Sequence, residues 1–278
     1  MQNNRIELFI CDMDGTLLKN DKTISEENRR KIKQIRERGI QFSICTGRIQ
    51  PMTEYYLKDL SLSAPVITAN GALIWDPLDR KVLWEKPVDL EEAMELLRFC
   101  QMRRLDYCAL TMEGSFFSPG NQRRERFEQY NRIAVGNGYA PMRLEELDPK
   151  FDCLKNLSIY KLLILEVEEG QLEEAKGFLK ELPDMGWTSS EDRLLDISHS
   201  TVSKGEGLLK LCQLMKLAPE RVCAMGDYEN DLSLFAVAGC SVAMGNGSQK
   251  VKQSADFITR TNEEAGVAWA ISHFLNET

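Results

Sequence analysis

The chain has 278 residues, room for one large domain or two ordinary ones, and with 43% hydrophobic and 28% charged residues it can bury a sizeable core. A formal net charge of -8 and a pI near 5.1 argue against nucleic acid as a partner, because phosphate backbones need a basic footprint; an anionic substrate has to be drawn by local cations. No window approaches the roughly 18 apolar residues of a membrane helix, and the opening MQNNRIELF has no signal-like apolar core, so a cytoplasmic protein with no membrane partner is expected.

The first predicted element is the apolar run Leu8 to Cys11, which reads as a buried strand of a parallel sheet. It ends in Asp12, Met13, Asp14 and Gly15, so two carboxylates arrive at the carboxyl end of a strand, where open α/β sheets bind ligands. Two residues apart in extended chain, both can project to one side and would repel each other without a cation; hard carboxylate oxygens beside a backbone carbonyl suit magnesium. The same four residues also suit a simple turn. Ser25 then caps a helix with Ile32 and Ile35 on its apolar stripe, and Gly39 stops it. Ile40 to Cys45 is a second strand ending in Thr46, Gly47 and Arg48, where a hydroxyl and a glycine amide suit phosphate oxygens. A third strand, Pro65 to Thr68, closes on Ala69, Asn70 and Gly71, and a hairpin over 72–75 and 81–84 leaves the sheet.

From Val88 to Ser189 the pattern changes. Asp89 and Glu92 form a capping-box-like start to a helix through Arg103, and Tyr107 to Met112 reads as a strand. Gln122 to Arg132 reads as a solvated helix, Tyr160 to Val167 as a strand and Gln171 to Leu182 as a helix. Strands and helices without carboxylate-ended loops imply a separate α+β domain at 88–189, with the first domain resuming at 190–278. Leu194 to Ile197 is expected as one of the strands of that resumed domain. Ser203, Lys204 and Gly205 open a helix, and a lysine added to the positive end of a helix dipole suits an anion. Arg221 to Met225 is another buried strand, running into Gly226, Asp227, Tyr228, Glu229, Asn230 and Asp231; Asp227 and Asp231, four apart, bring two more carboxylates to a strand end. Strands over 240–244 and 255–259 complete the sheet, and Asn262 is expected to cap the last helix. Eight cysteines without a C-x-x-C pair read as small buried hydrophobes, and two histidines give little support to a histidine triad or zinc site.

DMDGT at Asp12, Thr46 after an apolar strand, Lys204, and GDYEND at Asp227 resemble the four ordered motifs of the haloacid dehalogenase superfamily, over essentially the whole chain. The long segment between the second and third motifs, with Asn70-Gly71 before it and AMGNG after it, resembles the Cof-type sugar-phosphate phosphatases. Tyr228 and Gly247 depart from the residues usual there. The resemblance implies an α/β fold with a Rossmann-like, mostly parallel core (1–87 and 190–278) and an inserted α+β cap (88–189) that selects the substrate. It implies magnesium-dependent hydrolysis of a small phosphorylated metabolite by a monomer or weak homo-oligomer. Asp12 would be the nucleophile and Asp14 the general acid and base. Asp12, the Asp14 carbonyl and Asp227 would hold Mg2+, with Asp231 either a ligand or a support. Lys204 and the cation would offset charge on the nucleophile and the phosphoryl group, Thr46 would complete the phosphate cradle with Gly47 and Asn230, and Arg48, Asn70 and Gly71 would also bind phosphate or substrate. A phosphomutase using the same phospho-aspartate and a non-catalytic phosphate-responsive regulator are the competing expectations.

Overall fold

The structure, a computed structural model, describes residues 6–166, 168–189 and 193–275. In chain order the elements are β1 (Leu8–Cys11), α1 (Glu26–Glu37), β2 (Gln41–Ile44), α2 (Glu54–Asp59), β3 (Val66–Thr68), β4 (Leu73–Asp76) and β5 (Lys81–Glu85). There follow α3 (Leu90–Met102), β6 (Asp106–Thr111), β7 (Gly114–Phe117), α4 (Arg124–Gly136), β8 (Arg143–Glu146), β9 (Ile159–Leu165), α5 (Gln171–Leu179), β10 (Met185–Thr188) and β11 (Leu194–His199). The chain closes with α6 (Lys204–Met215), β12 (Val222–Gly226), α7 (Leu232–Phe235), β13 (Cys240–Ala243), α8 (Gln249–Ser254), β14 (Phe257–Ile258) and α9 (Gly266–Phe274). Two compact units result, one of residues up to Gly47, Leu57–Trp84 and from Ser203 on, the other of Arg48–Tyr56 and Glu85–Val202.

The first unit is built on a parallel sheet of order β14-β13-β12-β1-β2, with β1 at its centre. Every residue of β1 is fully buried, as a strand covered on both faces requires. One face meets Leu208 and Leu211 of α6, Leu234 of α7 and Val251 of α8, which pack with Leu8, Ile10, Val222 and Ala224. Helices α1 and α9, which add nothing to that cluster, pack on each other, and α1 also packs on β2. Buried Asn28 ties them together: its Oδ1 accepts from the Ala268 backbone N–H at 2.9 Å and its Nδ2 donates to the Leu17 carbonyl. A parallel bridge between Cys45 and Ile67 joins β3 to the end of β2, β3 pairs antiparallel with β4, and β5 completes that three-stranded sheet beside β4. Ser25 caps α1 as expected. Asn262 does not cap α9. It is buried, donates to the Leu18 carbonyl at 2.9 Å, and is separated from α9 by Ala265 in the left-handed region, which breaks the helical path.

The second unit carries a six-stranded sheet of order β10-β11-β9-β6-β7-β8, antiparallel except where β7 meets β8. Its core gathers Leu96, Leu97, Phe99 and Cys100 of α3 and Ala175 and Leu179 of α5 against Tyr107, Leu162, Ile164, Leu195 and Ile197 of the strands. The strand at 194–197 therefore belongs here, paired between β9 and β10, and the border falls at Val202–Ser203 where the sequence reading placed it at 189–190. Asp196 explains the membership: in the middle of β11 it is buried and ion-paired with Lys161 of neighbouring β9, a partner that only this sheet supplies. The helix expected over 122–132 forms as α4, but Phe127 and Tyr130 on it are buried. Of the strand expected to reach Val167, β9 accounts for the part to Leu165; Val167, like residues 190–192, lies outside the described residues.

Candidate active site

Four loops at the carboxyl ends of β1, β2, β3 and β12, together with the first residue of α6, bring the polar residues of the first unit to one edge of the sheet. Asp12 follows β1 directly, and its N–H donates to the Met225 carbonyl of β12 at 3.0 Å, extending the ladder one residue past the strand. Thr46 sits one residue past Cys45, its N–H on the Ile67 carbonyl and its own carbonyl accepting from the Asn70 N–H, both at 2.9 Å. Asn70 then takes a left-handed conformation (φ 56°) that lets its Oδ1 accept from Asn230 Nδ2 at 3.2 Å. Thr46, Asn70 and Asn230 are thus joined by one hydrogen-bonded path, as three of the residues expected around a phosphate.

Lys204 is at the centre. Ser203 caps α6 by accepting from the Glu206 N–H, so Lys204 is the first helical residue, and its side chain is fully buried. Its Nζ lies 2.9 Å from Asp12 Oδ1 and 2.6 Å from Asp231 Oδ1. Asp231 Oδ2 accepts from the N–H groups of Asp227 and Tyr228 at 2.9 and 3.1 Å, so both of its oxygens are hydrogen-bonded within the loop. Asp231 thereby aims Lys204 at Asp12 and fixes the turn that carries Asp227. The Thr16 hydroxyl donates to Asp227 Oδ1 at 2.7 Å, holding that carboxylate over the β1 loop. Gly15 makes the approach possible: its φ is +83°, and a Cβ there would lie 2.3 Å from Asp227 Oδ2.

Asp12, Asp227 and Asp231 present carboxylate oxygens within 4.8 Å of one another. Burial pushes the Asp12 carboxyl up to about 6, against the pull of Lys204 and with a further push from Asp231. Asp227 is pushed to about 8 by burial and then by the charges of Asp12 and Asp231. For Lys204 burial works against the charge, but Asp12 and Asp231 overcome it and hold the ammonium above the ordinary lysine range. One lysine does not balance three carboxylates in a site this buried. Hard oxygen donors with unrelieved negative charge are what a small divalent cation fits, so the residues suit magnesium.

A sequence profile of the haloacid dehalogenase-like hydrolases matches residues 9–271. The chain belongs to that family. The Cof-type branch that its motifs resemble stands with it, and the enzyme class is phosphoric monoester hydrolase. Two Bacillus subtilis relatives are named 5-amino-6-(5-phospho-D-ribitylamino)uracil phosphatases: YwtE, 30% identical over 98% of this chain and 99% of its own, and YcsE, 31% identical over 97% and 96%. A solved haloacid dehalogenase-like hydrolase from B. subtilis superposes with a TM-score of 0.84 at 26% identity, covering 96% of this chain and 99% of that one.

In this haloacid dehalogenase-like hydrolase the remaining expected residues stand as follows. The Asp14 side chain is partly exposed and paired with Lys22 Nζ at 2.8 Å. Gly71, with φ +107°, lies so close to the start of α6 that a Cβ would be 2.1 Å from the Ser203 carbonyl oxygen, which makes it a packing glycine between two site loops. Gly47 ends the first unit's opening segment. Arg48 is buried in the second unit, its guanidinium 5.0 Å from the Tyr56 ring centre and 4.2 Å from that of Tyr130, where cation–π attraction holds it. Lys22 and Asn246 were not singled out from the sequence. Asn246 Nδ2 donates to the Gly15 carbonyl at 2.8 Å and its Oδ1 accepts from the Asn262 N–H, bracing the aspartate loop from β13. No sequence signal marks Lys22; Asn246 lies in the AMGNG stretch, whose glycines announce a tight turn. Gly247, one of the two departures, leaves a Cβ position 3.0 Å from the Met244 carbonyl oxygen and 3.1 Å from that of Asp227, so the smaller residue avoids tight contact with the Asp227 backbone.

Proposed function

We propose that the protein is a magnesium-dependent phosphatase that hydrolyses small phosphomonoesters through an aspartyl-phosphate on Asp12. The observation that carries the reading is the buried Lys204 bridging Asp12 and Asp231 beside Asp227. Asp12 and Asp227, with the Asp14 carbonyl, would hold the cation, which supplies charge neutralisation for the nucleophile and the phosphoryl oxygens. Two anions at 4 Å repel by about 4 kcal/mol at an effective dielectric of ~20, so Lys204 is needed as well. Lys204 lies against Asp12 Oδ1 and leaves the other carboxylate oxygen to attack phosphorus. Thr46, Gly47 and Asn230 cradle the phosphoryl oxygens. Asp14, at the more open side of the loop and steadied by Lys22, protonates the leaving alkoxide and then takes a proton from the water that cleaves the acyl phosphate. Sugar phosphates and phosphorylated cofactor precursors form the substrate class, and the names of YwtE and YcsE make 5-amino-6-(5-phospho-D-ribitylamino)uracil the first compound to assay.

The reading is tested by phosphate release from that compound, a set of sugar phosphates and an aryl phosphate, with magnesium and with a chelator. Release that stops on chelation and returns with magnesium supports it. Phosphate transfer to a second sugar hydroxyl without accumulation of free phosphate would replace it by the phosphomutase reading.

A further inference from the structure

Cys223 lies in β12 and Cys240 opens β13, and the parallel register sets them directly side by side, followed by Ala224 beside Ser241 and Met225 beside Val242. Residues paired in this way project to the same face. Val222 and Ala224 enter the core under α6, so the two cysteines point to the opposite face of the sheet. Neighbouring strands run about 4.8 Å apart, inside the window of about 4.4–6.8 Å usual between the Cα atoms of a disulfide. Access is unequal: Cys223 is fully buried and Cys240 only partly. Contact with Cys223 holds the Cys240 thiol below its usual range, while burial and then Cys240 hold the Cys223 thiol well above it. A more accessible thiol directly beside a fully buried one is the arrangement of an attacking and a resolving cysteine. Cys11 and Cys45, at the ends of β1 and β2, lack this asymmetry; both are fully buried and both are raised by burial.

We propose that Cys223 and Cys240 are an oxidation site, a dithiol that hydroperoxides convert into a disulfide tying β12 to β13. The Cys240 thiolate attacks the terminal peroxide oxygen, breaking the O–O bond to give a sulfenic acid and, after protonation of the leaving oxygen, one water from hydrogen peroxide or one alcohol from an organic hydroperoxide. The Cys223 thiol attacks that sulfur, forming the S–S bond, and the hydroxyl leaves with the Cys223 proton as water. Two thiols lose one electron each and the peroxide is reduced by two. The strand so tied is the one that runs through Gly226 into Asp227.

The test is to treat the full chain with hydrogen peroxide, block remaining thiols with an alkylating agent, digest it and map the peptides by mass spectrometry. The expected product is a Cys223–Cys240 linked peptide that dithiothreitol separates and that Cys240→Ser does not form. Circular dichroism checks that this variant folds, and Cys223→Ala, which should leave Cys240 as sulfenic or sulfinic acid, serves as the second variant. Cys240 recovered fully alkylated, or oxidised alone in the unsubstituted protein with no link to Cys223, would overturn the proposal.

Discussion

Gly15 shows how much of the site rests on one missing methyl group. Its positive φ and the 2.3 Å between its Cβ position and Asp227 Oδ2 mean that Gly15→Ala must move the carboxylate or the loop. A displacement of about 1 Å in such a constellation costs on the order of 10²-fold in rate. We expect Gly15→Ala to remain folded by circular dichroism and to lose phosphatase activity by about that factor; activity within a few-fold of the parent would count against Asp227 as part of the site. Asp227 makes a second prediction. Its carboxyl ordinarily titrates near 3.8 and is raised to about 8 by burial and by the charges of Asp12 and Asp231, with Asp12 raised to about 6. Between pH about 4 and 8 the folded chain therefore binds protons that the unfolded chain releases, so this site's contribution to stability falls as pH rises. Chelated protein should lose resistance to denaturant between about pH 5.5 and 8.5 more steeply than Asp227→Asn does. Equal slopes in the two would show that Asp227 is not the group responsible.

At the scale of elements, the strands of the first unit were legible because continuous apolar runs such as LFIC and VCAM suit strands covered on both faces, and each ended in polar residues at one edge. Asp12, Thr46, Lys204 and Asp227 were legible for the same reason: a strand end or a helix start fixes where a side chain begins. Arg48 was not, since its destination between Tyr56 and Tyr130 depends on rings brought together only by folding. Nor was the allegiance of β11, because LLDIS reads as a strand in either unit and the deciding pair, Lys161 with Asp196, joins residues far apart in sequence. The corrected border has a consequence. Excising 88–189 would leave β11 without β9 and β10 and expose Leu194, Leu195 and Ile197, whereas excising 88–202 removes the whole sheet. By size-exclusion chromatography the shorter excision should give the more aggregated product; indistinguishable profiles would place the functional border elsewhere. Asn28 offers an independent test of how α1 and α9 are held. Asn28→Ala leaves the buried Ala268 N–H without its partner and should cost about 1–3 kcal/mol in denaturant unfolding, while an unchanged midpoint would mean that the bridge adds nothing.

The whole molecule comprises one unit with a parallel sheet whose loop edge collects carboxylates and one buried lysine, and a second unit with its own sheet and core. In an acidic chain of -8, Lys204 puts a buried positive charge against Asp12, and in the proposed function a cation held by the aspartates would add to it, so that an anionic substrate could approach. No helix among the described residues is long and apolar enough to cross a membrane. The claim on which the rest depends is that Asp12 is the phosphoryl acceptor, and Asp14→Asn isolates it. With the proposed roles, that variant would keep the nucleophile and the backbone carbonyl and would remove proton transfer, a contribution of about 10² to 10⁴-fold. An aryl phosphate needs little protonation to leave, but the acyl phosphate still needs a base for its hydrolysis. The decisive measurement is peptide mass spectrometry of Asp14→Asn quenched after mixing with an aryl phosphate and magnesium: a phosphoryl group is expected on the peptide containing Asp12, at Asp12 itself and absent from Asp12→Asn, and a label on any other residue, or turnover in Asp12→Asn equal to that of Asp14→Asn, would contradict the assignment of Asp12 as nucleophile.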